Sequence, residues 1–154
     1  MESPYYYFRS SKISNLKVVY EDDNFIIFNK PNGLLTHPTN KSTEFTLRDY
    51  LVEEHPSILS WGEENREGIV HRLDRVTSGL IVCALNLESY NLLKGKFKNR
   101  EITKSYVALI EGSLPSDSGI LNLPLARSLK NRSKRTVDTN GRNSTTKYEV
   151  LNFY

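Results

Sequence analysis

The sequence predicts an α+β domain: a largely antiparallel mixed sheet with flanking helices. Three observations carry this. Short runs rich in β-branched and aromatic residues recur along the chain, separated by turn-type clusters. Only two segments place apolar residues at helical spacing. No repeat or low-complexity tract interrupts the pattern, so the elements belong to one packed layer arrangement.

In chain order, residues 1–15 are polar and irregular and read as an N-terminal arm; residues 16–154 read as one domain. Residues 16–20 and 24–29 are strand-like and flank Glu21-Asp22-Asp23-Asn24, which predicts a hairpin. Pro31-Asn32-Gly33 then turns the chain. A first helix is expected over 46–54, with Thr46 as cap, Leu47, Tyr50 and Leu51 at helical spacing, and Pro56 beyond the end. Residues 55–67 read as a loop, and 80–85 as a buried strand. Asn86 is a good N-cap for a second helix that places Leu87, Tyr90, Leu93 and Phe97 on one face. Further strands are expected over 103–112, over 119–125 with its end at Pro124, over 135–139 and over 145–153. Asn140-Gly141 is a tight-turn signal between the last two.

At 154 residues the chain is long enough to bury a core, and its 38% hydrophobic and 25% charged residues are those of a soluble globular protein. No apolar run approaches the roughly 18 residues of a membrane span. The lone Cys83 lies within Leu80-Ile81-Val82-Cys83-Ala84 and reads as a buried thiol in a reducing compartment, the cytoplasm. His37, His55 and His71 show no metal-ligand spacing, so no metal is expected. Net charge is only +3, but residues 127–142 hold Arg127, Lys130, Arg132, Lys134, Arg135 and Arg142 against the single acid Asp138. Such a one-sided segment fits a polyanionic partner, and on charge alone an ordinary solvated loop fits equally well.

The chemistry centres on Gly68-Ile69-Val70-His71-Arg72-Leu73-Asp74-Arg75-Val76-Thr77-Ser78-Gly79-Leu80. Apolar residues lead in and out, and a carboxylate lies between two guanidiniums. Neighbouring cations favour the ionised form of a carboxylate, which can then act as nucleophile or base. Arg-Leu-Asp-Arg by itself reads as a surface ion pair at a strand end. The full thirteen residues, however, resemble the signature of the RluA-type family of RNA pseudouridine synthases. Two further stretches are similar to family motifs: the run from Tyr20-Glu21-Asp22-Asp23-Asn24 through Asn29-Lys30-Pro31-Asn32-Gly33-Leu34-Leu35-Thr36-His37-Pro38, and Lys104-Ser105-Tyr106-Val107-Ala108. The run from Val137 through Gly141-Arg142 to Leu151 resembles the family's mid-domain hairpin. The resemblance covers about residues 16–154. Family members continue into a motif containing Arg-x-His-Gln-Ile-Arg, which does not occur here, so the chain is expected to be the N-terminal part of a catalytic domain.

The resemblance implies isomerisation of uridine to pseudouridine in structured ribosomal or transfer RNA, with no cofactor and no membrane. By the motifs, Asp74 is the catalytic carboxylate, Arg72 displaces or replaces the target base, and Tyr106 stacks on uracil. Arg72 is two residues from Asp74 and shares its face on an extended backbone. His71 alternates away and reads as a structural histidine. Arg75 and Lys104 are candidate phosphate contacts, as are Arg132, Lys134 and Arg135 of the basic segment. In the family a basic residue from the absent motif pairs with the catalytic Asp; Arg75, adjacent to Asp74, is badly placed to replace it. A non-catalytic RNA-binding fragment of the same fold is the alternative.

Overall fold

The structure is a computed structural model that describes residues 16–39, 44–131 and 134–154. The expected arm over 1–15 lies outside these. The chain divides into two compact units, one through Ser105 and one from Tyr106.

The first unit is built on a three-stranded antiparallel sheet, β1 (Lys17–Glu21), β2 (Phe25–Lys30) and β3 (Gly79–Ala84), with β2 in the centre. The β1–β2 hairpin forms as expected, because Asp22 organises its turn. The Asp22 carboxylate accepts from the amides of Asn24 (2.8 Å) and Phe25 (2.7 Å) and from the Tyr20 hydroxyl (2.7 Å). β2 pairs with β3 from Phe25↔Ala84 to Lys30↔Gly79.

On one face of this sheet, Ile26, Phe28, Ile81 and Cys83 pack against Leu47 and Leu51 of helix α1 (Leu47–Glu54) and against Ile58 of a 3-10 turn (Pro56–Ser60). Thr46 caps α1 through a capping box: its hydroxyl accepts from the Asp49 amide while the Asp49 carboxylate accepts from the Thr46 amide at 2.9 Å. On the other face, Phe25 and Val82 meet Tyr90 and Leu93 of α2 (Leu87–Lys98). Asn86 caps α2 by accepting from the Ser89 amide, and its own amide group reaches back to Asp23 and Asn24 in the hairpin turn. Leu87, expected on the inner face, is half exposed at the first helical position.

The segment leading into the signature lies along β3. Ile69 bridges Cys83, and the Ala84 amide donates to the Gly68 carbonyl at 2.9 Å. Arg48 of α1 holds this approach through a 2.6 Å contact with the buried Glu67. Burial pushes the Glu67 carboxyl up, but the Arg48 guanidinium and the amides of Glu67 and Asn65 outweigh it and hold the group below its usual range.

The second unit is a separate antiparallel sheet of β4 (Ser118–Arg127), β5 (Arg135–Val137) and β6 (Arg142–Glu149), in the order β5-β4-β6. Here the structure corrects three expectations. Residues 103–112 form no strand. An isolated extended segment has no ladder to satisfy its backbone, and among the described residues none pairs with it. Val107 and Leu109 are accordingly exposed. Second, β4 does not end at Pro124 but runs through to Arg127. The proline nitrogen cannot donate to Asp138, yet nothing is left unpaired: the Asp138 amide donates to the Pro124 carbonyl (3.0 Å), and the Asp138 carbonyl accepts from Gly141 instead (2.8 Å). Third, the strands around Asn140-Gly141 do not pair with each other; they lie on opposite sides of β4. The turn crosses the β4 backbone at Leu125 so closely that a Cβ at Gly141 would lie 2.6 Å from the Leu125 carbonyl carbon.

The close approach of Gly68 to β3 gives a direct test. Its φ is +73°, and an added Cβ would lie 2.8 Å from both the Ala84 carbonyl oxygen and Leu51 Cδ2. Gly68→Ala is expected to destabilise the first unit by about 2–5 kcal/mol, the sum of left-handed strain and overpacking. Urea denaturation followed by tryptophan fluorescence checks this; an unchanged midpoint would mean that the approach of 68–71 to β3 is not tight.

Candidate active site

Period-two alternation along β2 puts Ile26, Phe28 and Lys30 on the same buried face. The stripe therefore ends in an amine, and Lys30 is fully buried. Its ammonium is held by backbone carbonyls: Leu34 at 2.8 Å, Pro31 at 3.0 Å and, at longer range, Arg75 at 3.4 Å. Desolvation lowers its pKa, and the field of Asp74 opposes that shift by favouring the charged form. One cation thus ties the 31–34 turn to the signature loop.

Further bonds run between the same two loops. The Gly33 amide donates to the Arg75 carbonyl at 2.8 Å, the Asn32 side chain to the Val76 carbonyl at 3.1 Å, and the Thr36 hydroxyl to the Leu73 carbonyl at 2.8 Å. Gly33 adopts φ +89°, which lets the turn present its amide to the loop. The strap is anchored in turn by the first amides of α1, where Leu47 and Arg48 donate to the carbonyls of Leu35 and Thr36.

On this frame the signature loop makes a turn closed by the Thr77 amide on the Asp74 carbonyl at 3.0 Å. Leu73 is buried beneath it, while the Asp74 side chain stands 80% exposed at the surface. An Arg72 guanidinium nitrogen lies 3.8 Å from Asp74 Oδ1. Arg75, the other flanking cation, turns away and forms a bidentate pair with Glu44 at 2.9 and 3.1 Å. So the carboxylate has one guanidinium beside it, not two. The motif presents an accessible carboxylate and a neighbouring cation on a backbone that is fixed from below.

His71 is the structural residue that alternation places behind the loop. Its Nε2 accepts from the Val82 amide at 3.0 Å, and its ring stacks on Phe97 with centroids 4.4 Å apart. Burial, with the Lys104 charge adding to it, pushes its pKa down to about 4. Cys83 is fully buried in the core, and burial pushes its thiol well up, so it has no nucleophilic role.

The remaining sequence-predicted site residues fall outside this loop in the chain. Lys104 is exposed near the end of the first unit. Tyr106 belongs to the second unit and is 61% exposed on an irregular backbone. Lys134 precedes β5 and Arg135 opens it, both exposed; Arg132 lies outside the described residues. Among the described residues no group of acids, histidines or cysteines is arranged to hold a metal ion, and no helix is long and apolar enough to cross a membrane. Sequence reasoning missed the contribution of Thr36 and His37, and it took Lys30 only as part of a motif. The alternation Ile26-Phe28-Lys30 carried the signal that Lys30 is buried.

A family profile described as RNA pseudouridylate synthase matches residues 24–154. The chain is 35% identical over 139 residues to ribosomal large subunit pseudouridine synthase D of Borreliella burgdorferi, covering 88% of this chain and 43% of that protein. Its identity to the enzyme of the same name from Buchnera aphidicola is 39% over 137 residues, covering 89% and 42%. The chain thus spans less than half the length of these relatives. In fold it is similar to human RNA pseudouridylate synthase domain containing 1, with a TM-score of 0.62 at 24% identity over 90% of this chain and 51% of that one.

The environment of His71 sets a pH dependence. Its folded pKa of about 4 lies below the ordinary 6.5, so the fold favours the neutral ring. The stability this contributes is complete above the unfolded value and is lost as pH falls from about 6.5 toward 4. Denaturation midpoints measured across that window should fall in the parent protein and fall less in His71→Gln, whose amide oxygen can still accept from Val82. Equal slopes in both proteins would remove His71 as the cause.

Proposed function

Because the chain belongs to the RNA pseudouridylate synthase family, of RluA type, we propose that it contributes the catalytic carboxylate and base-displacing arginine of an enzyme that converts uridine to pseudouridine in ribosomal or transfer RNA in the cytoplasm. The observation that carries this reading is the turn at Asp74: an exposed carboxylate beside Arg72, on a loop held by the buried Lys30 and by backbone hydrogen bonds.

The reaction is an isomerisation. The bond from C1′ to N1 breaks, the base turns, and C1′ bonds to C5. The C5 proton leaves and N1 gains one, so neither a redox partner nor a group donor is required. Asp74 meets the nucleotide at the sugar or the base. Arg72 occupies the space that the extruded base vacates, since chemistry on a stacked base requires its removal from the stack. Tyr106 stacks on the detached uracil. Lys104, Arg132, Lys134 and Arg135 run along phosphates, and Arg75 joins them by exchanging Glu44 for a phosphate oxygen.

Two variants separate chemistry from binding. Asp74→Asn should abolish tritium release from C5-labelled uridine RNA while leaving RNA affinity and the denaturation midpoint unchanged. Release at the parent rate would rule Asp74 out as the catalytic carboxylate, and no release from the parent itself would favour a non-catalytic RNA-binding role. Replacing Lys134 and Arg135 by Ala should weaken all RNAs alike and flatten the salt dependence by about one unit per lost phosphate contact. A salt slope equal to the parent's would make β5 and its approach an ordinary solvated loop.

A further inference from the structure

We propose that His37 is a positioning residue for Arg72: its imidazole fixes the guanidinium that stands beside Asp74. The inference rests on the role given to Arg72 above and adds a residue to it. His37 is buried at 8% exposure on the strap between the 31–34 turn and α1. Its Nδ1 lies 2.9 Å from the Pro38 carbonyl oxygen. A carbonyl only accepts, so Nδ1 carries the proton, and the neutral ring is left with a bare Nε2. The group facing that lone pair is Arg72 Nη1, at 3.5 Å. Arginine only donates, so an unprotonated Nε2 is the state in which donor and acceptor match.

The distance is at the outer limit of a hydrogen bond. Such contacts are commonly long before a substrate is bound and shorten when the site closes. The geometry gives Arg72 two restraints, His37 on one side and Asp74 Oδ1 at 3.8 Å on the other. They differ in rigidity. Asp74 is exposed at the loop surface, whereas His37 is buried and its neighbour Thr36 is bonded to the Leu73 carbonyl and to the Arg48 amide. An exposed arginine loses considerable rotamer freedom when it is fixed. An immobile acceptor removes part of that loss before RNA arrives, and the Arg72 guanidinium is then aimed where the base must leave.

The contact is tested without activity by nitrogen NMR of histidine-labelled full chain. His37 should show a protonated Nδ1 and an unprotonated Nε2, and Arg72→Met should shift the Nε2 resonance with Nδ1 nearly unmoved. No shift of Nε2 overturns the proposal. The positioning role is tested by single-turnover conversion. His37→Phe, which fills the site without an acceptor, should lower kcat by about ten- to a hundred-fold with little change in KM. His37→Gln, whose amide can accept from Arg72, should recover most of it, and both should keep the parent denaturation midpoint. If Phe and Gln lose rate equally and in step with stability, His37 is merely structural and the proposal fails. Should His37→Phe not fold, the Gln variant and the Arg72→Met spectrum still decide. If the parent chain itself converts no uridine, the enzymatic reading falls while the Nε2 shift still decides the contact.

Discussion

A buried ammonium with no carboxylate in hydrogen-bonding contact among the described residues is the constraint on which the first unit turns. Lys30 ends the core stripe of the central strand, where an aliphatic residue is the ordinary choice. Its charge is stabilised by the carbonyls of Pro31, Leu34 and Arg75 and by the field of Asp74. Hydrogen bonds to a charged group contribute about 1.5–3 kcal/mol each, against about 1 for a neutral pair, and here they offset part of the cost of desolvating the ammonium. It also fixes geometry, because those carbonyls must converge on one point. The 31–34 turn and the signature loop can satisfy it only when both are in place.

The other features of the site follow from that convergence. With the Arg75 carbonyl directed at Lys30 and at the Gly33 amide, the Arg75 side chain is turned outward, where Glu44 receives it. With Leu73 buried and its carbonyl taken by Thr36, Arg72 and Asp74 on either side of it are left facing solvent. His71 and Gly68 anchor the loop's other limb on β3, through the Val82 and Ala84 amides. The catalytic candidates are thus exposed side chains on a backbone whose own polar groups are satisfied internally. That combination suits the proposed role, in which the site meets a large RNA substrate without rearranging its frame. The second unit has no comparable frame: none of its described residues is buried, and its strands leave Ile120 and Leu123 exposed.

Much of this was legible in the residues, and the failures have physical causes. Local signals succeeded where the deciding interactions are local: Thr46 and Asn86 cap the helices they were expected to cap, and Asp22 makes the first turn. Signals failed where pairing is non-local. Residues 103–112 have strand composition but no partner among the described residues, and Pro124 reads as a strand end because the substitute bond from Gly141 to Asp138 cannot be seen in sequence. Asn140-Gly141 marks a true turn, but turn chemistry does not say whether the flanking strands pair with each other or straddle a third. At the site, Asp74, Arg72 and Arg75 were found together because they share one motif. The support from Lys30 and His37, distant in sequence, needed coordinates.

Native-state amide hydrogen exchange in Lys30→Met tests the central claim most directly. Methionine matches the aliphatic stem of lysine but cannot bond to the three carbonyls. The Gly33 amide, which donates to Arg75, and the Thr77 amide, which closes the turn on Asp74, report the two loops separately. Both should lose protection in the variant, while amides in the β2–β3 ladder, such as Ile26 and Cys83, retain most of theirs. Protection of Gly33 and Thr77 equal to that in the parent chain would show that the loops hold together without the buried ammonium, and would contradict the account.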